Sequence, residues 1–403
     1  MTGGFDMRVE ARENLGLYLH IPFCVQKCAY CDFLSMPSDE VTKKQYVRAL
    51  IAEIYSYKEM AKEYLVKTIF IGGGTPSCLE EADIYDIMAA VKKTFVIEGM
   101  LESEFEKQPE ISIEVNPGTL TYEKLVTYKK AGINRLSMGL QSADNEELKL
   151  LGRIHSYEEF EANYRMARQV GYTNINIDLM SALPGQTVAS WKKTLDKIIG
   201  LQPEHISAYS LIVEEGTPFY ERYGSEGARF MHLLPSEEED RAIYQLTKEI
   251  LFDAGYRRYE ISNYAKPGYE SKHNSSYWTG AYYLGLGLGA SSLLHNERFH
   301  NEEELEEYLR LSKNHKDIRR DLETLDQKQR IEEFMFLGLR RMEGIHESVF
   351  EDKFQVSLNS IYENVLNQLE KDKLIVQDQD TIALTDKGVD LSNYVLAQFL
   401  LDE

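Results

Sequence analysis

The sequence predicts an α/β protein: a partial (β/α)6 barrel, then an α+β extension, then a small winged-helix-like domain at the C-terminus. Three observations predict it. Six short β-like runs alternate with amphipathic helical stretches between residues 15 and 212, the rhythm of parallel strands joined by crossover helices. Gly132 and Gly171 fall where helix C-caps hand over to the next strand. The residues with chemical character gather just past the ends of these runs, at the edge where parallel α/β folds build their sites.

Taken in order, residues 1–14 form an N-terminal tail. Strands are expected at 15–20, 67–71, 111–115, 133–138, 174–179 and 205–211. Helical patterns lie between them at about 40–64, 80–97, 120–131, 156–170 and 187–200. Six units fit an open barrel better than a closed eight-fold one. Residues 213–325 make a family-specific extension, richer in Gly, Tyr and Pro, with one clear helix near 236–254 and a charged helical connector at 301–325. Residues 326–403 read as helices at 327–341, 346–353 and 358–372, two short strands at 374–377 and 381–384, and a final helix. That order is winged-helix-like, but Asp and Glu outnumber Lys and Arg there, so it reads as a packing or docking module without nucleic-acid binding.

Composition narrows the function classes. A chain of 403 residues that is 43% hydrophobic buries a large core. The net charge of −21 repels polyanions, so an anionic ligand needs local basic residues or backbone N–H groups. The acidic runs at 237–240 and 302–307 are solvated helix faces. There is no secretory leader pattern and no run of eighteen apolar residues; a cytoplasmic protein is expected. Four cysteines, three of them crowded, look like metal ligands and not a disulfide framework. Cys78 stands alone and reads as a small buried hydrophobe.

Cys24, Cys28 and Cys31 are spaced by three residues and then two. Three thiolates neither close a tetrahedral zinc site nor fill a four-iron cluster. Either a fourth protein ligand arrives, as His20 would in a Cys3His zinc site, or one iron stays open. Zinc sites usually pair two ligand doublets, and no second doublet is present. The spacing, with Tyr30 before the last cysteine, resembles the radical S-adenosylmethionine (SAM) superfamily. That resemblance implies a [4Fe–4S] cluster whose open iron receives SAM. The run Gly72-Gly73-Gly74-Thr75 leaves the second strand, where bare backbone groups can approach a ligand. Alone it would be a tight turn; in this order it resembles the superfamily's glycine motif. Glu114 and Asp178 sit at strand ends as acceptors, and Arg153 carries a fork for a carboxylate.

More narrowly, nearly the whole chain resembles the oxygen-independent coproporphyrinogen III dehydrogenase family. The motifs are 18–33, 70–77, 134–141, 151–155, 178–186, 204–211 and 258–264. The resemblance implies a SAM site lined by Tyr18, Tyr30, Gly73, Gly74, Thr75, Glu114, Gln141, Arg153, Asp178 and Tyr209. The family has a dehydrogenase branch and a haem chaperone (HemW) branch. Dehydrogenases carry a further cysteine two residues past the triplet, where this chain has Phe33, and a longer N-terminal extension. His273-Asn-Ser-Ser-Tyr277-Trp278 instead resembles the chaperone branch's His-Asn-x-x-Tyr-Trp motif.

That implies haem as cargo, with His273, Tyr277 and Trp278 as candidate contacts, Arg257, Arg258 and Lys266 near propionates, and haem-accepting proteins as partners. The alternative is a dehydrogenase that takes a porphyrinogen and an electron donor and decarboxylates substrate propionates in porphyrin biosynthesis. A capping His among core aromatics is the bland account of the same motif. The run 283–290, Tyr-Leu-Gly-Leu-Gly-Leu-Gly-Ala, lacks dinucleotide spacing and reads as close backbone approach. Dimerisation is left open.

Overall fold

Leu15, Leu17, Leu19 and Ile21 form the apolar line of strand β1 (Glu13–Ile21), which is buried along most of its length, as a central parallel strand must be. A computed structural model describes the chain over residues 12–99, 108–224 and 228–401. Asp39 caps α1 (Glu40–Ser56) by accepting from Thr42 N, and the helix carries the chain back to β2 (Tyr64–Gly73), parallel to β1. The unit repeats through α2 (Glu81–Thr94), β3 (Glu110–Val115), α3 (Tyr122–Lys130) and β4 (Arg135–Gln141). It continues through the short α4 (Asn145–Leu150), α5 (Tyr157–Val170), β5 (Ile175–Ser181), α6 (Val188–Leu201) and β6 (His205–Ser210). Gly171 ends α5 at φ +94, the left-handed cap that its lack of Cβ allows.

The extension holds more sheet than its sequence advertises. It contains α7 (Glu237–Asp253), β7 (Arg257–Arg258), β8 (Asn263–Ala265), α8 (Lys272–Trp278), β9 (Tyr283–Leu286), β10 (Ser291–Leu294) and β11 (Glu297–Asn301). The charged connector is helical only in α9 (Leu305–Leu311) and α10 (His315–Ile318); it ends in a strand, β12 (Arg319–Thr324). One twelve-stranded sheet results, ordered β12-β11-β10-β9-β1-β2-β3-β4-β5-β6-β8-β7. β1 to β6 are parallel in chain order, and β9 joins β1 in parallel. The flanking strands are antiparallel. β7 and β12 are its two ends, so the barrel is open.

The glycine run is a matter of close approach. β9 lies against β1, and a Cβ on Gly287 would meet the His20 carbonyl at 2.7 Å and the Tyr46 hydroxyl at 2.5 Å. Fully buried Glu53 fixes this corner by accepting from Gly287 N at 2.9 Å and Asn301 Nδ2 at 2.8 Å.

The C-terminal segment comprises α11 (Gln327–Gly338), β13 (Ile345–His346), α12 (Glu347–Phe354), α13 (Leu358–Lys371), β14 (Ile375–Asp378) and β15 (Thr381–Leu384). It closes with α14 (Asp386–Asp390) and α15 (Ser392–Ala397), where one final helix was expected. Its core, around Phe350, Phe354, Tyr362 and Phe399, is separate from that of the large sheet. Among the described residues no helix is long and apolar enough to cross a membrane.

Candidate metal and cofactor site

The C-terminal ends of β1 to β6 bring together residues far apart in sequence. After β1 the chain loops out with the three cysteines, all free thiols. Gly74 N donates to the Ile21 carbonyl at 2.8 Å and Thr75 N to the Phe23 carbonyl at 2.7 Å. The glycine run is thereby stitched to the root of the cysteine loop. A Cβ on Gly74 would lie 2.7 Å from Phe23 O and 3.0 Å from Cys24 Sγ, so this position requires a residue without one. Gly73 sits at φ +113, with the His20 ring where a Cβ would go.

Each sulfur has its own polar neighbour: Thr75 Oγ1 at 3.5 Å from Cys24, Arg153 Nη1 at 3.5 Å from Cys28, and Ser35 Oγ at 4.0 Å from Cys31. The Cys3His zinc alternative fails on its fourth ligand. His20 Nδ1 is 2.9 Å from Tyr18 OH, and its Nε2 is 2.9 Å from the Leu34 carbonyl. Cys78 faces the Phe23 carbonyl at 3.5 Å, and burial pushes its thiol up to about 11. Among the described residues no three His, Cys, Asp or Glu side chains gather closely enough for a single ion. The donor set fits a cluster held at three irons.

Beyond the cysteines, Glu114 at the end of β3 accepts from Gly73 N at 3.0 Å. Burial, and then the neighbouring Asp178 carboxylate, pushes Glu114 up to about 8. Asp178 on β5 accepts from Asn176 Nδ2 at 2.7 Å and Ser137 Oγ at 3.1 Å, and burial raises it as well. Gln141 takes φ +77 where β4 breaks register, an uncommon conformation for a residue with a Cβ. It accepts from Tyr209 OH, on β6, at 2.8 Å.

Tyr18 stacks on Phe70 at 6.3 Å. Tyr30 packs edge-on to Phe219 at 6.3 Å, within a small cluster that also holds Leu151, Met180 and Leu183 and roofs the β5–β6 side. The three cysteines and most of the expected cofactor contacts therefore gather at one edge, whereas Asp178, expected at a strand end, lies in the middle of β5. Asn116, just past β3, is a further member, a residue expected at this edge but given no role in the cofactor set. Its Nδ2 donates to Thr75 Oγ1 at 2.8 Å, and its Oδ1 accepts from Arg153 Nη2 at 2.6 Å. The Asn-Pro pair at a strand end was its only sequence signal. A small cavity lies between Cys28, Asn116, Arg153 and His155, and among the described residues Arg153 Nε is buried there without a hydrogen-bond partner, a donor suited to a polar ligand.

The haem expectations fare differently. His273 is 1% exposed and offers no free ring nitrogen to an iron: Nδ1 is 2.9 Å from Thr68 Oγ1, and Nε2 is 2.9 Å from Tyr277 OH. Phe70 stacks on its ring, and burial pushes its pKa down to about 3. Tyr277 is held there and against Tyr283, so of the three only Trp278 reaches a cleft. The basic residues expected near propionates are also engaged elsewhere. Arg257 lies over Phe252, Arg258 reaches Asp386, and Lys266 donates to the Gln202 carbonyl.

Residues 18–198 match the profile of the radical SAM superfamily, the class that the open sheet and cysteine loop define. Residues 325–391 match the HemN C-terminal domain. The haem chaperone HemW of Lactococcus lactis is 38% identical over 386 residues, spanning 96% of this chain and 97% of its own. HemW of Bacillus subtilis is 37% identical over 95% and 98%. The solved structure of Escherichia coli coproporphyrinogen III oxidase (HemN), described as a radical SAM enzyme, has a TM-score of 0.83 at 26% identity, covering 96% of this chain and 90% of that one. The chain belongs to the radical SAM superfamily and, within it, to the HemW family. Membership of that superfamily implies a [4Fe–4S] cluster and SAM.

Proposed function

We propose that this chain is a haem chaperone: it binds haem and passes it to acceptor proteins, on a scaffold that carries a [4Fe–4S] cluster and SAM. The observation that carries this reading is the likeness to proteins named HemW along nearly the entire chain. Phe33, 65% exposed at the position of the dehydrogenases' further cysteine, supports it.

Cys24, Cys28 and Cys31 would hold three irons, leaving the fourth for SAM. Bound together, cluster and SAM supply reductive cleavage chemistry. The chain's own residues place the ligand. Gly73 and Gly74 present bare backbone, Thr75 braces Cys24, and Arg153, held by Asn116 and Gly139, would offer its fork to a carboxylate. Glu114 and Asp178 would accept hydroxyl donors. Tyr18, Tyr30, Gln141 and Tyr209 would wall the site. Free thiols suit a reducing compartment, so we place the chain in the cytoplasm.

The likeness to HemN sustains a second reading, in which the chain oxidatively decarboxylates coproporphyrinogen III with an electron donor. Anaerobically reconstituted protein separates the two. Haem capture and transfer to an apo-haemoprotein, without protoporphyrinogen IX formation, is expected. Sustained turnover of coproporphyrinogen III overturns the chaperone reading.

A further inference from the structure

A cleft of about 610 Å³ separates the turn after α8 from the C-terminal domain, in the size range of small-molecule sites. Trp278 and Leu293 line one side; Phe334, Leu337 and Val349 line the other. Four cations line it: Arg12 donates to the Lys62 carbonyl and Arg341 pairs with Glu343, while Arg330 from α11 and Lys353 from α12 lie over the Phe354 ring. Among the described residues neither Arg330 nor Lys353 has a carboxylate within ion-pair distance, and Lys353 Nζ extends to the Gly280 backbone of the opposite wall. The two carboxylates of the cleft are turned to other partners: Glu333 to Arg298 at 2.6 Å, and Glu13 to His295 at 3.8 Å. In a chain of net charge −21, two cations that have no carboxylate partner among the described residues, beside apolar walls, suit an apolar, anionic ligand.

His346 stands at the lip. Its Nδ1 lies 3.3 Å from Thr381 Oγ1 and 3.6 Å from Asp380 Oδ2. That is the outer support by which metal-ligating imidazoles are oriented, and it leaves Nε2 uncommitted. We propose that this interdomain cleft is the haem site, with His346 Nε2 as an axial iron ligand. Trp278 and Phe334 would pack the macrocycle, and Arg330 and Lys353 would pair its propionates. The inference rests on the haem-chaperone reading and deepens it. It moves iron ligation from His273, whose nitrogens are occupied, to an imidazole that is free. A ligand gripped at the open seam between two separate cores is also one that an acceptor can reach.

Titration of the full chain with haem and, separately, with metal-free protoporphyrin IX tests the assignment. His346→Ala is expected to weaken haem binding about tenfold or more and to shift the Soret band, while leaving metal-free porphyrin binding unchanged. Arg330→Gln with Lys353→Gln is expected to weaken both ligands, by roughly tenfold to a hundredfold. Iron content and melting temperature report whether each variant folds. The proposal is overturned when both variants bind haem as the parent does, or when His273→Ala abolishes the iron-ligand spectrum that His346→Ala retains. A parent chain that captures no haem overturns the chaperone reading itself, and this site with it.

Discussion

Glu114→Gln is expected to make the protein more stable and less able to bind its cofactor. The carboxyl lies near the end of β3 beside Asp178, accepts from Gly73 N, and is pushed from 4.5 up to about 8 by burial and by that like charge. Its folded pKa thus lies above its unfolded one. Between the two values the folded chain keeps a proton that the unfolded chain releases. The stability this group supplies is therefore fully present below about pH 4.5 and is lost as pH rises toward 8. At pH 7 the interval above 4.5 corresponds to about 3.5 kcal/mol at about 1.4 kcal/mol per pH step. Halving this for the solvent that reaches the site leaves about 2 kcal/mol. Glutamine keeps the bond from Gly73 and removes the titration. Urea unfolding at pH 5, 6.5 and 8, followed by calorimetric SAM titration, reads both consequences. The variant should gain roughly 2 kcal/mol at pH 7–8, with a flatter pH profile, and bind SAM at least tenfold more weakly. Equal pH slopes for parent and variant would refute the burial argument, and unchanged SAM affinity would refute the role.

Gly74→Ala should cost the chain more than half of its iron after anaerobic reconstitution, since the new Cβ displaces Phe23 O and Cys24 Sγ; full iron content would remove Gly74 from the cradle. Cys78→Ala should retain full iron and lose about 1 kcal/mol of stability from its partly buried side chain, and a colourless variant would make Cys78 a ligand. Arg153→Lys should weaken SAM binding roughly tenfold in equilibrium dialysis, because an ammonium cannot hold Asn116, Gly139 and a carboxylate as one fork. Unchanged affinity would make Arg153 a strut of the cysteine loop only.

The six parallel strands were legible because each is an apolar run long enough to show its period, and their ends carried the chemistry with them. The remaining strands of the large sheet were not. β7 and β8 have two and three residues, too few for any alternation. β12 reads Arg-Arg-Asp-Leu-Glu-Thr, partly or fully exposed throughout, since an edge strand beside solvent has no apolar face to declare. The site was legible for a related reason: cysteines, glycines and charges at strand ends have few structural uses. Asn116 was placed at this edge but given no role, because a single asparagine before a proline reads equally well as a turn.

The haem expectation shows what a motif withholds. His273, Tyr277 and Trp278 announce an imidazole beside flat rings, but residue types do not say which nitrogen is free. That is set by Thr68, on β2, and by Tyr277 one helical turn away, and together they consume the ring. His346 carries the complementary lesson. In sequence it is one histidine before an acidic helix, with no neighbour to recommend it. Only pairing of β13 with β15 puts Asp380 and Thr381 behind its Nδ1, and only docking of α11 and α12 beside Trp278 brings Arg330 and Lys353 into the same cleft. Local spacing can write a cluster site because one loop supplies its ligands. A site at a seam needs two cores to fold before its residues become neighbours.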